Sequence, residues 1–309
     1  MEREANLLLM KIKDKKTRGF LAAVTGGICW GFSGCCGQYL FSEKGMDAGW
    51  LTVVRLLCAG ALLLAFCALG HRKDLRGAVT DRGDLLRILL FGVLGMMLCQ
   101  YSYMKAISLT NAATATVIQY TGPVLVTVVV CLRAMKLPTL SEVCAVALAV
   151  GGTFIVATHG DPRGLVLSAE GLLWCLFAAV SVVLYTLIPE KVIGKRSSAV
   201  VSGLGMTVGG IVLFFIVGAW KISPTLDAGA ILALGAIIVV GTVLAFSLYL
   251  QAVSDIGPVR ASVIASIEPV ASGVISWLWL GQSFELIDIL GFAMIISTVF
   301  VLAIRKNNA

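Results

Sequence analysis

Charge is scarce in this chain. Asp, Glu, Lys and Arg together make up 13% of its 309 residues, about half the roughly 25% of an ordinary soluble domain. A soluble protein needs charge to cover its surface, whereas a protein solvated by lipid does not. No polar stretch is long enough to enclose a separate soluble domain. Histidine is scarcer still: His71 and His159 are the only two, and both fall in loops. The nine cysteines (Cys29, Cys35, Cys36, Cys58, Cys67, Cys99, Cys131, Cys144 and Cys175) all sit inside apolar runs, with no C-x-x-C pair and no Cys/His cluster. That pattern lacks the usual metal and redox frameworks and leaves cysteine as a small hydrophobe at helix interfaces. Also missing are the phosphate loop G-x-x-x-x-G-K-[ST], the H-E-x-x-H zinc motif, the G-x-S-x-G nucleophile elbow and paired membrane carboxylates. The expectation is no enzyme, no cofactor and no direct drive by ATP.

What the chain has is apolar length. Hydrophobic residues make up 59% of it, and about 20 apolar residues suffice for one helical span. Ten spans can be read, at about 19–41, 48–70, 87–105, 112–132, 139–158, 167–188, 198–219, 229–250, 258–281 and 286–304. The expected fold class is an all-α integral membrane protein of ten transmembrane helices. Residues 1–18 form a basic N-terminal tail and 305–309 a short C-terminal one. The apolar run Ala5 to Met10 is too short for a secretory signal and is flanked by Glu2 and Glu4, so the first full span is expected to serve as the insertion signal.

The net charge of +7 would suit nucleic acid if it formed a patch, but it is divided among short loops. Nineteen of the 24 Lys and Arg residues fall on one side of the ten-span topology: Arg3, Lys11, Lys13, Lys15, Lys16, Arg18, Arg72, Lys73, Arg76, Arg82, Arg87, Arg133, Lys136, Lys191, Lys195, Arg196, Arg260, Arg305 and Lys306. The other side has only Lys44, Lys105, Arg163 and Lys221, and Arg55 lies within a span. Cytoplasmic loops are the basic ones, so both termini are expected in the cytoplasm of a multi-pass cell-membrane protein. The partners implied are a lipid bilayer and a small-molecule substrate, not nucleic acid. Trp50 and Trp220, at span ends, read as interfacial anchors.

Residues 95–157 align with 241–303 at a constant offset of 146, without a gap. The matches include Gly95/Gly241, Tyr103/Tyr249, Ala106/Ala252, Pro123/Pro269 and Leu140/Leu286. Apolar helices match by chance, but paired mid-span prolines at one register are informative. Five spans per copy is an odd number, so the second copy enters from the opposite side. Residues 19–160 and 161–304 are thus read as two inverted five-helix repeats, an architecture that presents a central site to each face in turn.

This arrangement resembles the drug/metabolite transporter superfamily, and specifically its EamA branch. The resemblance is carried by Trp30-Gly31, Arg55, and the paired segments Gly122-Pro123-Val124 and Glu268-Pro269-Val270. It extends from Gly19 to Ile304. It implies movement of small metabolites across the membrane. One feature departs from the pattern: relatives tend to have Gly-Glu where spans four and nine end, and here Met135-Lys136 and Gly281-Gln282 stand there.

Two charged residues lie deep in spans, where each costs about 2.5–3.5 kcal/mol or more. Glu268, near the middle of span nine, shares a small, polar stripe with Ala261, Ala265, Ser272 and Ser276; Val263, Ile267, Val270, Val274 and Trp277 form the opposite face. The stripe should face the bundle interior. The acid is either structural or a site for substrate or a coupling proton. Arg55 shares its stripe with Thr52 and Ala59. It can snorkel outwards, pair with a carbonyl, or bind a substrate carboxylate. Pro123 and Pro269 each remove an amide donor and free the carbonyls of Gln119 and Ala265. The kinks either shape the bundle or line a central cavity. Aromatic and polar groups gather on other stripes: Trp30 with Gly26, Ser33 and Gly37; Gln100 with Tyr103; Tyr120 with Thr116 and Thr127; Tyr185 with Ser181 and Trp174; Tyr249 with Thr242. The related transporters line their cavity with the spans that carry them.

The expected function is a secondary transporter working by alternating access. Arginine and glutamate together suit a zwitterion, so an amino acid or amino-acid-like solute is expected, with export the favoured direction and proton coupling through Glu268. The alternatives are a membrane-embedded enzyme or lipid-handling protein, which would need ionisable groups clustered near one interface, and a non-transporting receptor or partner subunit.

Overall fold

The polar residues between the apolar runs cap the helices that follow. Asp47 accepts a hydrogen bond from the Trp50 amide, Asn111 from Thr114, Ser168 from Gly171 and Asp227 from Ala230. Each satisfies an amide that the first helical turn leaves without a partner. The structure is a computed structural model. It describes residues 2–306 apart from 134, 136, 138, 162–165, 194, 257–260 and 262–263; for 2–14, 127, 141, 142, 247, 250, 254 and 302–306 it describes the backbone alone. Lys136, Pro258, Arg260, Val263 and Arg163 therefore lie outside the described residues, as do the side chains of Arg3, Lys11, Lys13, Thr127, Arg305 and Lys306.

Among the described residues every regular element is helical. The first half comprises α1 (Glu2–Ser42), α2 (Ala48–Gly70), α3 (Arg72–Thr80), α4 (Arg82–Leu90), α5 (Leu98–Leu109), α6 (Ala112–Gln119), α7 (Gly122–Arg133) and α8 (Leu140–Thr158). The second comprises α9 (Ala169–Leu187), α10 (Glu190–Ile193), α11 (Ser198–Val217), α12 (Ala228–Ile238), α13 (Ala245–Ile256), α14 (Ile267–Leu280) and α15 (Leu286–Lys306). Among the described residues six apolar helical stretches are long enough to cross a membrane: Lys15–Ser42, Ala48–Gly70, Arg82–Leu109, Ala112–Arg133, Ala169–Ile193 and Ser198–Val217. Shorter apolar helices are Val143–Thr158, Ala228–Leu244, Ile267–Leu280 and Leu286–Val301.

Several boundaries differ from those expected. The N-terminal tail is helical and continuous with α1. The segment after α2, read as a loop, holds the short helix α3, whose Ala78 is buried while Arg72, Lys73 and Arg76 stay exposed. Residues Phe91–Met97 and Val239–Leu244 are π-helical turns that join α4 to α5 and α12 to α13. Gly95 and Gly241, matched at the offset of 146, fall within these two turns.

The packing is reciprocal between halves. α1 lies on α13 and α14 of the second half, and α9 lies on α5 and α7 of the first. α2 pairs with α11, and α8 with α15. Close approach of α1 to α14 depends on glycine. A Cβ built on Gly31 would stand 2.8 Å from the Ser272 nitrogen and 2.9 Å from the Glu268 carbonyl oxygen. Cys35, one turn on, lies 3.3 Å from the Ser276 hydroxyl and donates to the Ser272 carbonyl.

Ion pairs flank the apolar stretch Lys15–Ser42 of α1. Arg18 meets Asp255 at the end of α13 through two 2.8 Å hydrogen bonds. With Gln251 donating as well, the arginine holds the Asp255 carboxyl down at about 2. Beyond the far end of α1, Lys44 lies 2.6 Å from Asp227; the contact raises the lysine and lowers the carboxyl.

Candidate functional site

A cavity of about 510 Å³ lies between the halves. Its walls come from α1 (Trp30), α2 (Arg55), α5 (Cys99, Gln100, Tyr103), α6 and α7 (Gln119, Pro123, Val126, with Tyr120 between them), α9 (Val182, Tyr185, Thr186), α13 (Phe246, Tyr249), Ala265, Ser266, α14 (Glu268), α15 (Val299) and Met96 of the first π-helical turn. Of the residues singled out in the sequence, Trp30, Arg55, Gln100, Tyr103, Gln119, Tyr120, Pro123, Tyr185, Tyr249 and Glu268 all line it. Ser272 and Pro269 do not. Ser272 is buried against Cys35 of α1, because the Gly31 approach turns that side of α14 towards α1. Pro269 is buried behind the wall.

Arg55 does not snorkel. It is 4% exposed, and its Nε donates to Thr242 Oγ1 at 3.3 Å. Thr242 is held in turn by its place in the second π-helical turn, where its hydroxyl donates to the Ile237 carbonyl at 3.0 Å. The π-helical bonding thus aims a hydroxyl at the guanidinium; such turns recur at functional sites. Nη1 of Arg55 is buried and has no acceptor among the described residues. A buried donor left in this way favours an anionic or carbonyl-bearing ligand group.

Glu268 is held from the opposite half. Tyr120 donates to its Oε2 at 3.0 Å and lies 3.3 Å from the Ala265 carbonyl. The backbone breaks that bring these groups together sit just ahead of the prolines. The Tyr120 amide donates to the Thr116 and Val117 carbonyls, Thr121 donates to Ile118, and α7 restarts from Thr121. At the position 146 residues on, Ser266 is the turn residue before α14. Each cavity charge is therefore held by a hydroxyl from the other half: Arg55 by Thr242 and Glu268 by Tyr120.

The remaining walls are aromatic. Trp30 packs edge-on against Phe246, with centroids 5.4 Å apart, and meets Tyr249 at 5.2 Å. Tyr103 shares a 2.7 Å hydrogen bond with Thr116, and Gln119 reaches Cys99 Sγ at 3.8 Å. At the end of the bundle nearest Arg55, Gln38 of α1 accepts from the Ala112 amide at 2.8 Å and donates to Gln282 at 3.5 Å. Among the described residues no group of three or more metal-ligating side chains converges.

Phe246, Cys99, Val126, Val299, Val182, Thr186 and Met96 were not anticipated as lining residues. Phe246 precedes Tyr249 by three positions, Cys99 precedes Tyr103 by four, and Val126 follows Pro123 by three, so helical spacing from the chosen residues contained the signal. Val299 had none.

Comparison with known proteins gives concordant results. The chain matches the EamA-like transporter family over residues 17–158 and again over 169–304. It is 33% identical over 291 residues to the uncharacterized inner membrane transporter YicL of Salmonella typhimurium, covering 94% of this chain and 97% of that one. A solved crystal structure with 16% identity superposes with a TM-score of 0.64 over 94% of this chain and 99% of the other, a likeness of fold.

Proposed function

Because the chain belongs to the EamA-like transporter family and is thus a multi-pass membrane transporter with two repeats, we propose that it exports a small zwitterionic solute by alternating access. The solute class we assign is an amino acid or an amino-acid-like metabolite. The observation that carries this reading is the pairing of Arg55, with its unsatisfied Nη1, and Glu268 in one aromatic-walled cavity. A carboxylate can take both nitrogens of a guanidinium fork. An ammonium group complements the glutamate, and the rings of Trp30, Tyr249 and Phe246 supply apolar area for a side chain.

The architecture proposed is ten transmembrane helices in two inverted repeats. The reciprocal packing of α1 and α9 supports it, together with four apolar helices shorter than the six long ones. The charge asymmetry supports cytoplasmic termini and a place in the cell membrane. With that orientation Arg55 lies towards the outer face, and Gln38 bridges Ala112 and Gln282 on that side. Glu268 is the proposed coupling group: a carboxyl at the midplane can take a proton in one state and face the solute amine in another. The site is assigned no covalent step.

The test is flux in proteoliposomes, using a panel of labelled neutral amino acids with and without a pH gradient. At least one should be carried, faster when protons flow the opposite way, and Glu268→Gln should insert normally yet lose the response to the gradient. Wild-type flux with an unchanged pH profile in that variant would make facilitated diffusion the better reading. Absence of amino-acid flux, beside flux of another metabolite, would overturn the solute class.

A further inference from the structure

Tyr120 has one proton and two acceptors. Its hydroxyl stands 3.0 Å from Glu268 Oε2 and 3.3 Å from the Ala265 carbonyl. Both acceptors belong to the other repeat, and they lie on either side of the turn at Ser266. The Ala265 carbonyl is the one whose helical donor position is occupied by Pro269, which has no N–H. A freed carbonyl in a membrane needs another donor. The phenol can serve the carboxylate or the carbonyl, and the charge on Glu268 decides which. An ionised carboxylate is much the stronger acceptor. A neutral carboxyl accepts more weakly and has a proton of its own to donate.

Resting on the reading that Glu268 takes up and releases a proton, we propose that Tyr120 is a positioning residue that relays the charge of Glu268 to the helix break at Ser266. With Glu268 ionised, the phenol is committed to Oε2 and the Ala265 carbonyl turns to water in the cavity, which both residues line. With Glu268 neutral, the phenol turns to the Ala265 carbonyl and ties the break between α6 and α7 to the backbone ahead of α14. The phenolic proton stays on its oxygen throughout; only the O–H direction changes, and the proton gained by Glu268 comes from solvent. The other ionisable groups around the cavity are Arg55 from α2, Cys99 and Tyr103 from α5, Tyr185 from α9 and Tyr249 from α13. Glu268 is the carboxyl among them. Gly27 and Gly31 of α1 lie against this same backbone, where a Cβ on Gly27 would come within 2.8 Å of the Ala265 oxygen. A change of bonding at Ala265 is therefore felt by α1 at once.

Two measurements on the full-length protein in lipid vesicles test the relay without a known solute. Infrared difference spectroscopy across a pH titration reads the C=O stretch of a protonated carboxyl, and the band missing from Glu268→Gln is the Glu268 band. In Tyr120→Phe its midpoint should move upward by about one pH unit, the scale on which losing a charge-assisted hydrogen bond acts. Hydrogen exchange of the amides from Ile264 to Ser272, corrected for the intrinsic rate, should show greater protection at low pH in the wild type. That difference should vanish in Tyr120→Phe. Glu268→Gln, which mimics the neutral acid, should hold the low-pH level at every pH and serves if the phenylalanine variant does not fold. A wild-type midpoint and wild-type exchange in Tyr120→Phe would overturn the relay while leaving Glu268 as the coupling group. If no band is lost in Glu268→Gln, the proton-coupling reading itself fails.

Discussion

At the scale of the residue, the site is organised by two charges that an apolar chain would be expected to avoid. A buried guanidinium and a half-buried carboxyl line the same cavity; each has found one hydroxyl, and Nη1 of Arg55 has no acceptor among the described residues. Arg55 and Glu268 were legible in the sequence because a charge inside an apolar run stands out against a cost of about 2.5–3.5 kcal/mol. Their partners were not. Thr242 lies 187 positions from Arg55 and Tyr120 lies 148 from Glu268, and nothing in local periodicity links residues so far apart. The place of Ser272 was hidden for the converse reason: it shares a small stripe with Glu268, yet Gly31 lets α1 pack against that side of α14. For Arg55 the expected outcome is specific. Arg55→Lys keeps the charge and loses the planar fork, so the half-saturation concentration for a carboxylate-bearing solute should rise roughly tenfold, equivalent to about 1.4 kcal/mol. Thr242→Val, which frees the guanidinium without touching it, should produce a smaller rise in the same direction. Uptake kinetics at normal protein level decide it; unchanged kinetics in Arg55→Lys would make the residue structural.

At the scale of the element, the irregular helices all contribute to the cavity wall, beside the uninterrupted α1, α2, α9 and α15. α4 and α5 are joined by a π-helical turn, as are α12 and α13, and the chain breaks at Tyr120 and at Ser266. Proline announced the breaks, although the turns fall a few residues earlier than the prolines themselves. The π-helical turns left no comparable mark, since Gly95 and Gly241 read equally well as packing glycines. α1, by contrast, is long and continuous, and ion pairs flank its apolar stretch Lys15–Ser42. The Arg18–Asp255 pin has a predictable pH dependence. The folded Asp255 carboxyl sits at about 2, below its ordinary 3.8, so the pair contributes stability above about pH 4. That contribution disappears as pH falls through the interval between the two values. Arg18→Gln should therefore lower the melting temperature of detergent-solubilised protein at neutral pH. The gap from wild type should close between about pH 4 and pH 2. A gap that persists at the acid end would assign the effect to packing of the arginine stem instead.

At the scale of the whole molecule, the sequence repeat and the spatial units do not coincide. The alignment of 95–157 with 241–303 made the duplication legible, and composition made the membrane legible, but neither could reveal that the leading helix of each copy packs on the other copy. α1 belongs in space with α13 and α14, and α9 with α5 and α7. Severing the chain in the segment 162–168 should test this. Residues 1–161 or 169–309 expressed alone should be degraded, whereas the two expressed together should co-purify as a stable pair. Accumulation of either fragment alone at the level of the pair would mean that each copy folds by itself.

The crossed packing also sets an order of events during synthesis. α1 leaves the ribosome well before α14, and the groups of α14 and the turn ahead of it that cover its Gly27, Gly31 and Cys35 face come about 240 residues later. At a translation rate of about 5–20 residues per second, that face waits roughly 12–48 s in the bilayer without these neighbours. Glycine and cysteine tolerate the delay, since they place little polar surface against lipid. Arg18 and Lys44, which flank the apolar stretch of α1, remain at the water boundary until Asp255 and Asp227 arrive. α13 and α14 therefore complete α1, and a chain interrupted before α14 exposes its unfinished state to quality control at α1.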